Sequence, residues 1–188
     1  MNMSAAHLAH TEKQAKRAAA AQALRTEHPH LVSTGNSLVD AAKNIRIELK
    51  RAFPSVAFRV KSERYSGGDS IRVYWIDGPQ TKQVEAIIGK YQAGSFDGMT
   101  DSYNYAASAW SDAFGDAKFI FANREFSDKA IAAAIRLVCA KFRVTESPTV
   151  DDWRNGRAYK FRLNSGAHPS DDNVQYAVNQ ALTKQVWL

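Results

Sequence analysis

The chain has 188 residues, 45% of them hydrophobic, 11% aromatic and 23% charged, a balance that suits one compact domain with an accessory segment. No apolar run nears the ~20 residues that cross a bilayer, and the single cysteine, Cys139, excludes an internal disulfide or a cysteine-based metal cluster. Lys and Arg number 25 against 19 Asp and Glu, for a net charge of +6, which favours a polyanionic partner such as nucleic acid or nucleoprotein.

The N-terminus lacks an apolar leader run, so the expected compartment is a bacterial cytoplasm, or one occupied by a virus. Residues 1–36 are rich in Ala, Gln, Lys and Arg without a broad apolar stripe, which predicts a solvated helix or a partly disordered basic arm. His7, His10, His28 and His30 lie in it, but no complete metal-ligand set accompanies them. T-G-N-S reads as a linker ending in a cap, and a helix follows from Asn36 or Ser37. Leu38, Ala42, Ile45, Leu49 and Ala52 share one face of that helix, with Lys43, Arg46 and Lys50 opposite. Phe53-Pro54 stops it.

Two strands come next, V-A-F-R-V-K-S and S-I-R-V-Y-W-I, and their alternation predicts a half-buried antiparallel hairpin. D-G-P is a turn, and Thr81 caps a helix carrying Val84, Ile87, Ile88 and Tyr91. F-D-G-M-T-D-S-Y-N-Y opens a loop or short helix that runs through Trp110. A-K-F-I-F-A is a third strand, and Ser127-Asp128 caps a helix with Ile131, Ile135, Val138 and Phe142 inward, Cys139 lying beside that stripe as a small buried residue. R-A-Y-K-F-R-L reads as a last strand. A final helix from about Asp171 turns Val174, Ala177, Val178, Ala181 and Leu182 inward. The expected fold is α+β, a small mainly antiparallel sheet with a central hairpin, packed by three to four helices. Residues 37–145 form its core and 146–188 a C-terminal strand and helix.

The stretch Y-S-G-G-D-S raises a question of chemistry. A phosphate-cradling glycine loop follows a strand and opens a helix; here the glycines join two strands, and no Walker lysine or third dinucleotide glycine is present. The stretch is therefore a hairpin bend in which Gly67 or Gly68 supplies positive φ. Catalytic patterns are sparse. No histidine lies between His30 and His168, no cofactor motif occurs, and the aspartates Asp69, Asp77, Asp97 and Asp101 sit where turns recruit them.

The basic residues are more informative. From Lys43 to Arg64 there are seven cations (Lys43, Arg46, Lys50, Arg51, Arg59, Lys61, Arg64) against Glu48 and Glu63. Alternation places Arg59, Lys61, Arg72 and Tyr74 on the hairpin face away from the core, where cations neutralise phosphates and an exposed aromatic stacks on a base. With Lys43, Arg46, Lys50 and Arg64 and the bend itself (Tyr65, Ser66, Gly67, Gly68), these four residues form the candidate binding site.

The runs K-N-I-R-I-E-L-K-R-A-F-P-S-V-A-F-R-V-K-S, Y-S-G-G-D-S-I-R-V-Y-W-I-D-G-P, V-E-A-I-I, G-S-F-D-G-M-T-D-S-Y-N-Y and F-A-N-R-E-F-S resemble the twenty-ninth large polyvalent protein-associated domain, over about residues 43–142. Gln80 precedes Thr81 where the pattern expects Thr directly after Gly-Pro. The resemblance implies a bacteriophage or conjugative-element setting, and some polyvalent proteins are thought to enter the new host with the DNA and protect it. It supplies no activity.

Two expectations follow. The first is a non-enzymatic accessory or counter-defence protein, without a cofactor, that binds nucleic acid or a host nucleoprotein defence complex such as a CRISPR effector. The second is a metal-dependent enzyme on nucleic acid or nucleotides that uses Asp97, Asp101 or Asp77 with Arg124. A third class, a protein-docking module, would use Trp110, Trp153 or Trp187.

Overall fold

The structure is a computed structural model that describes residues 5–163, 165, 166, 168 and 172–187. The fold is α+β: among the described residues there are seven α-helices, a three-stranded sheet and a two-stranded hairpin. The chain divides into two compact units. One runs to Tyr74 and includes Val84–Asn123; the other comprises Trp75–Gln83 and the chain from Arg124 onward. No helix among the described residues is long and apolar enough to cross a membrane.

In the first unit, α1 (Ala5–Glu27) is a helix along its whole length, exposed nearly throughout. It lies against α4 (Ala109–Phe114). Arg17 Nε donates to Asp112 Oδ2 at 2.5 Å, Arg25 Nη2 donates to the Asp112 carbonyl at 2.6 Å, and Ala21 is buried. A small residue lets the helices approach, while the long side chains span to the partner. The basic arm of the sequence is thus a docked helix.

The linker owes its shape to two buried polar residues of α2 (Ser37–Ala52). Asp40, 2% exposed, accepts from Thr34 N (2.7 Å), Thr34 Oγ1 (2.6 Å) and Gly35 N (3.0 Å). Asn44 accepts from Val32 N at 2.6 Å and donates to the carbonyls of Val32 and Phe114. Apart from the Thr34 hydroxyl bond, each of these satisfies a backbone group that costs about 1–3 kcal/mol if buried alone. The apolar face of α2 buries Leu38, Ala42, Ile45 and Leu49 as its periodicity requires, and Phe53 caps the C-terminal end.

The hairpin strands are β1 (Arg59–Tyr65) and β2 (Gly68–Ile76), and the sheet order is β1-β2-β5, with β5 at Phe119–Glu125. Between β2 and β5 lie α3 (Thr81–Ile88), a 3-10 turn at Gly89–Tyr91, and a second antiparallel hairpin of β3 (Gly94–Asp97) and β4 (Ser102–Tyr105). Tyr91 is buried and donates its hydroxyl to Glu48 Oε2 at 2.6 Å; burial, then that bond, pushes the phenol well above its ordinary value.

The β3–β4 hairpin replaces the loop or short helix expected from F-D-G-M-T-D-S-Y-N-Y. Its strands are only four residues long, too short for alternation to stand out. Gly94 permits the pairing: a Cβ there would lie 2.0 Å from the Asn104 carbonyl oxygen and 2.9 Å from Tyr105 Cα. Gly94→Ala is expected to open this hairpin at a cost of about 1–3 kcal/mol. In NMR, the β3–β4 cross-strand contacts should vanish while those of β1–β2 persist.

The second unit is built on α5 (Asp128–Phe142), α6 (Val150–Arg154), a 3-10 turn at Arg157–Lys160 and α7 (Val174–Lys184). Ser127 caps α5 by accepting from Ala130 N, and Thr149 with Asp152 forms a reciprocal capping box on α6. Ile131, Ile135 and Val138 of α5 pack with Leu163 and with Val174, Val178 and Leu182 of α7. Cys139 is buried in the same cluster.

R-A-Y-K-F-R-L is not a strand. Ala158 is buried and Tyr159 exposed, so burial does not follow the alternation, and only a single bridge, Arg162 to Asn173, has strand character. The final helix begins at Val174, with Asn173 as its cap. The expected start at Asp171 lies outside the described residues.

Candidate functional site

The candidate face follows from strand register. Arg59 pairs with Tyr74 and Lys61 with Arg72 across β1 and β2, and residues directly opposite project from the same side of a sheet. Val60, Ile71 and Val73, at the alternate positions, are buried. All three cations are exposed and Tyr74 is half-buried. The Arg59 guanidinium carbon sits 4.5 Å above the Tyr74 ring centre, and that of Arg72 sits 4.5 Å above the ring of Phe121 in β5.

Among the described residues, no carboxylate forms an ion pair with Arg59, Lys61 or Arg72, whereas Arg17, Lys90 and Arg154 each have one and Arg157 has two. Glu63, opposite Ser70, is the acidic residue that the register adds to this face, towards the bend.

The bend is a latched turn. Tyr65 pairs with Gly68, leaving Ser66-Gly67 as a two-residue connection. Gly68 has φ +143, and a Cβ there would meet Lys118 Cδ at 2.6 Å. Lys118 Nζ donates to the Gly67 carbonyl at 2.8 Å, and Lys118 N donates to Asp69 Oδ1 at 2.7 Å. The Tyr65 hydroxyl closes the turn on the Asp69 carbonyl at 3.4 Å.

The other predicted cations are not gathered here. Arg64, at the alternate position of β1, reaches Asn36 Oδ1 at the start of α2 (3.3 Å). Arg46 donates to the carbonyls of Ala42 (3.2 Å) and Val60 (2.5 Å), and Lys50 donates to the Pro54 carbonyl (2.7 Å). These three tie α2 to its neighbours. Lys43 is exposed on the outer side of α2.

The possible secondary site, Asp97, Asp101 and Arg124, is distributed between the two units. Asp97 accepts from Met99 N at 2.9 Å in the β3–β4 turn; that bond, with the Thr100 hydroxyl, holds its carboxyl below the ordinary range. Such a group is a turn former that stays ionised. Asp101 is exposed, with φ +48.

Arg124 has a structural assignment. Its Nε donates to the Asp77 carbonyl (3.1 Å), Nη1 to Leu182 (3.1 Å), and Nη2 to Gly78 (2.9 Å) and Gln185 (2.8 Å). Asp77 Oδ1 in turn accepts from Ser127 N at 3.0 Å, and Trp75 Nε1 donates to the Pro79 carbonyl at 3.0 Å. W-I-D-G-P and R-E-F-S are therefore the two halves of one hydrogen-bonded knot.

Sequence reasoning missed Phe121 and Lys118. The alternation in K-F-I-F-A carried a signal for Phe121; nothing local marks Lys118, whose partners are about fifty residues upstream. It also missed that Phe96, Met99 and Tyr105 are exposed on the β3–β4 hairpin, Met99 at 98%. Trp110 packs edge-on against His28, and Trp187 Nε1 donates to the Leu182 carbonyl. No cluster of three or more His, Cys, Asp or Glu suited to a metal occurs among the described residues.

Residues 36–127 match the family model described as large polyvalent protein associated domain 29. The match starts with the cap of α2 and ends at Ser127, the cap of α5, so it includes the candidate face and both halves of the knot. No curated protein and no solved structure matches the chain.

Proposed function

Through residues 36–127 this chain belongs to the large polyvalent protein associated domain 29 family, and from that premise we propose that it is a non-enzymatic accessory protein of a mobile element which binds nucleic acid through Arg59, Lys61 and Arg72. The family makes it a phage-associated polyvalent protein. In that setting, a counter-defence role consists of holding nucleic acid, either alone or within a host nucleoprotein complex such as a CRISPR effector. The observation that carries the reading is three exposed cations on one sheet face, none in an ion pair with a described carboxylate. An enclosed catalytic constellation has no comparable support, since Asp97 shapes a turn and Arg124 is bonded to backbone carbonyls.

Fluorescence anisotropy with labelled single-stranded and duplex oligonucleotides tests the proposal. Binding should weaken with added salt, and the log–log slope should lie near −2 to −3, since each neutralised phosphate contributes about 0.7–0.9. Absence of binding at low salt would overturn the proposal.

A further inference from the structure

Tyr74 and Phe121 raise a separate question: do the rings receive bases, or do they hold the arginines? We infer that they are platforms for Arg59 and Arg72, and that the face takes the phosphodiester backbone of its ligand without stacking bases on those rings. This rests on the nucleic-acid reading above and specifies its mode.

Both guanidinium carbons lie 4.5 Å from the ring centres, so one face of each ring already carries a cation where a base would otherwise stack. Phe121 has a further neighbour in Phe119, nearly parallel to it at 6.2 Å. A guanidinium held over a ring by its carbon keeps its N–H groups in its own plane, where they match the oxygens of a phosphate. Stacking also removes rotamers that a free arginine would lose on binding. Lys61, opposite Arg72, adds a point charge that has no flat surface to offer a base. The three cations together form an anion site that is indifferent to base identity.

The experiment compares an ordinary single-stranded oligonucleotide with an abasic one of equal length, on the intact protein and on Tyr74→Leu, Phe121→Leu and Tyr74→Phe variants. The expected result is equal affinity for the two oligonucleotides within about two-fold. Each leucine variant should weaken both by about two- to five-fold, with the salt slope unchanged because no charge is lost. Tyr74→Phe should bind like the parent, since it keeps the ring.

A drop of about five-fold or more per base on the abasic strand would mean that bases stack on the face, and would overturn this inference while leaving the nucleic-acid reading intact. Equal losses in Tyr74→Leu and Tyr74→Phe would also overturn it, by assigning the role to the hydroxyl. No binding of either oligonucleotide would overturn both readings.

Discussion

Reversing Arg59, Lys61 and Arg72 together to glutamate is expected to lower oligonucleotide affinity by about 100-fold or more at low salt. It should also flatten the log–log salt dependence by about 2–3, the share of three lost phosphate contacts. The fold should survive, because all three side chains are exposed and accept no structural duty beyond their ring contacts. Lys43→Glu is the matched control for a single reversal: it changes the charge by as much as Arg59→Glu alone, but on α2, and should have only a small effect where Arg59→Glu has a clear one. The comparison separates a local site from the general attraction of a chain of net charge +6. If the triple variant keeps the parent affinity and salt slope, the face has no part in binding.

Arg124→Met is expected to give the largest loss of stability, about 3–5 kcal/mol, read as a lower denaturation midpoint in urea. Hydrogen bonds from a charged donor contribute about 1.5–3 kcal/mol each, and four on one guanidinium are not additive. Two acceptors, Leu182 and Gln185, lie at the C-terminal end of α7, where the helix dipole also favours a cation. The other two, Asp77 and Gly78, form the turn after β2. Arg124→Lys should recover only part of the loss, because one ammonium cannot reach acceptors spread around a planar fork. Oligonucleotide affinity of the folded fraction should be unchanged in both variants. A variant as stable as the parent would show that the knot does not hold this unit together.

The elements with long periodic stripes were legible in the sequence. α2, α5 and the β1–β2 hairpin follow from apolar spacing, since their burial is decided by position along one element. The face of Arg59, Lys61, Arg72 and Tyr74 was legible for the same reason: alternation and register are two views of one geometry. The β3–β4 hairpin was not, because four-residue strands leave no pattern and the pairing depends on what Gly94 lacks.

R-A-Y-K-F-R-L misled because its composition suits a strand, yet burial selected Ala158 over Tyr159 and only one bridge formed. The roles of Arg46, Lys50 and Arg124 were hidden for another reason. A cation bonded to backbone carbonyls looks, in sequence, the same as one left for a ligand.

The latch of Lys118 on the hairpin bend has a consequence for timing. Its bonds to Gly67 and Asp69 span 51 and 49 residues. At roughly 5–20 residues per second on the ribosome, the bend waits about 3–10 s for its partner to be made. Phe121, the platform for Arg72, follows Lys118 by only three residues. Throughout that interval the nascent hairpin lacks both its latch and one of its rings, so the basic face matures only when β5 joins the sheet.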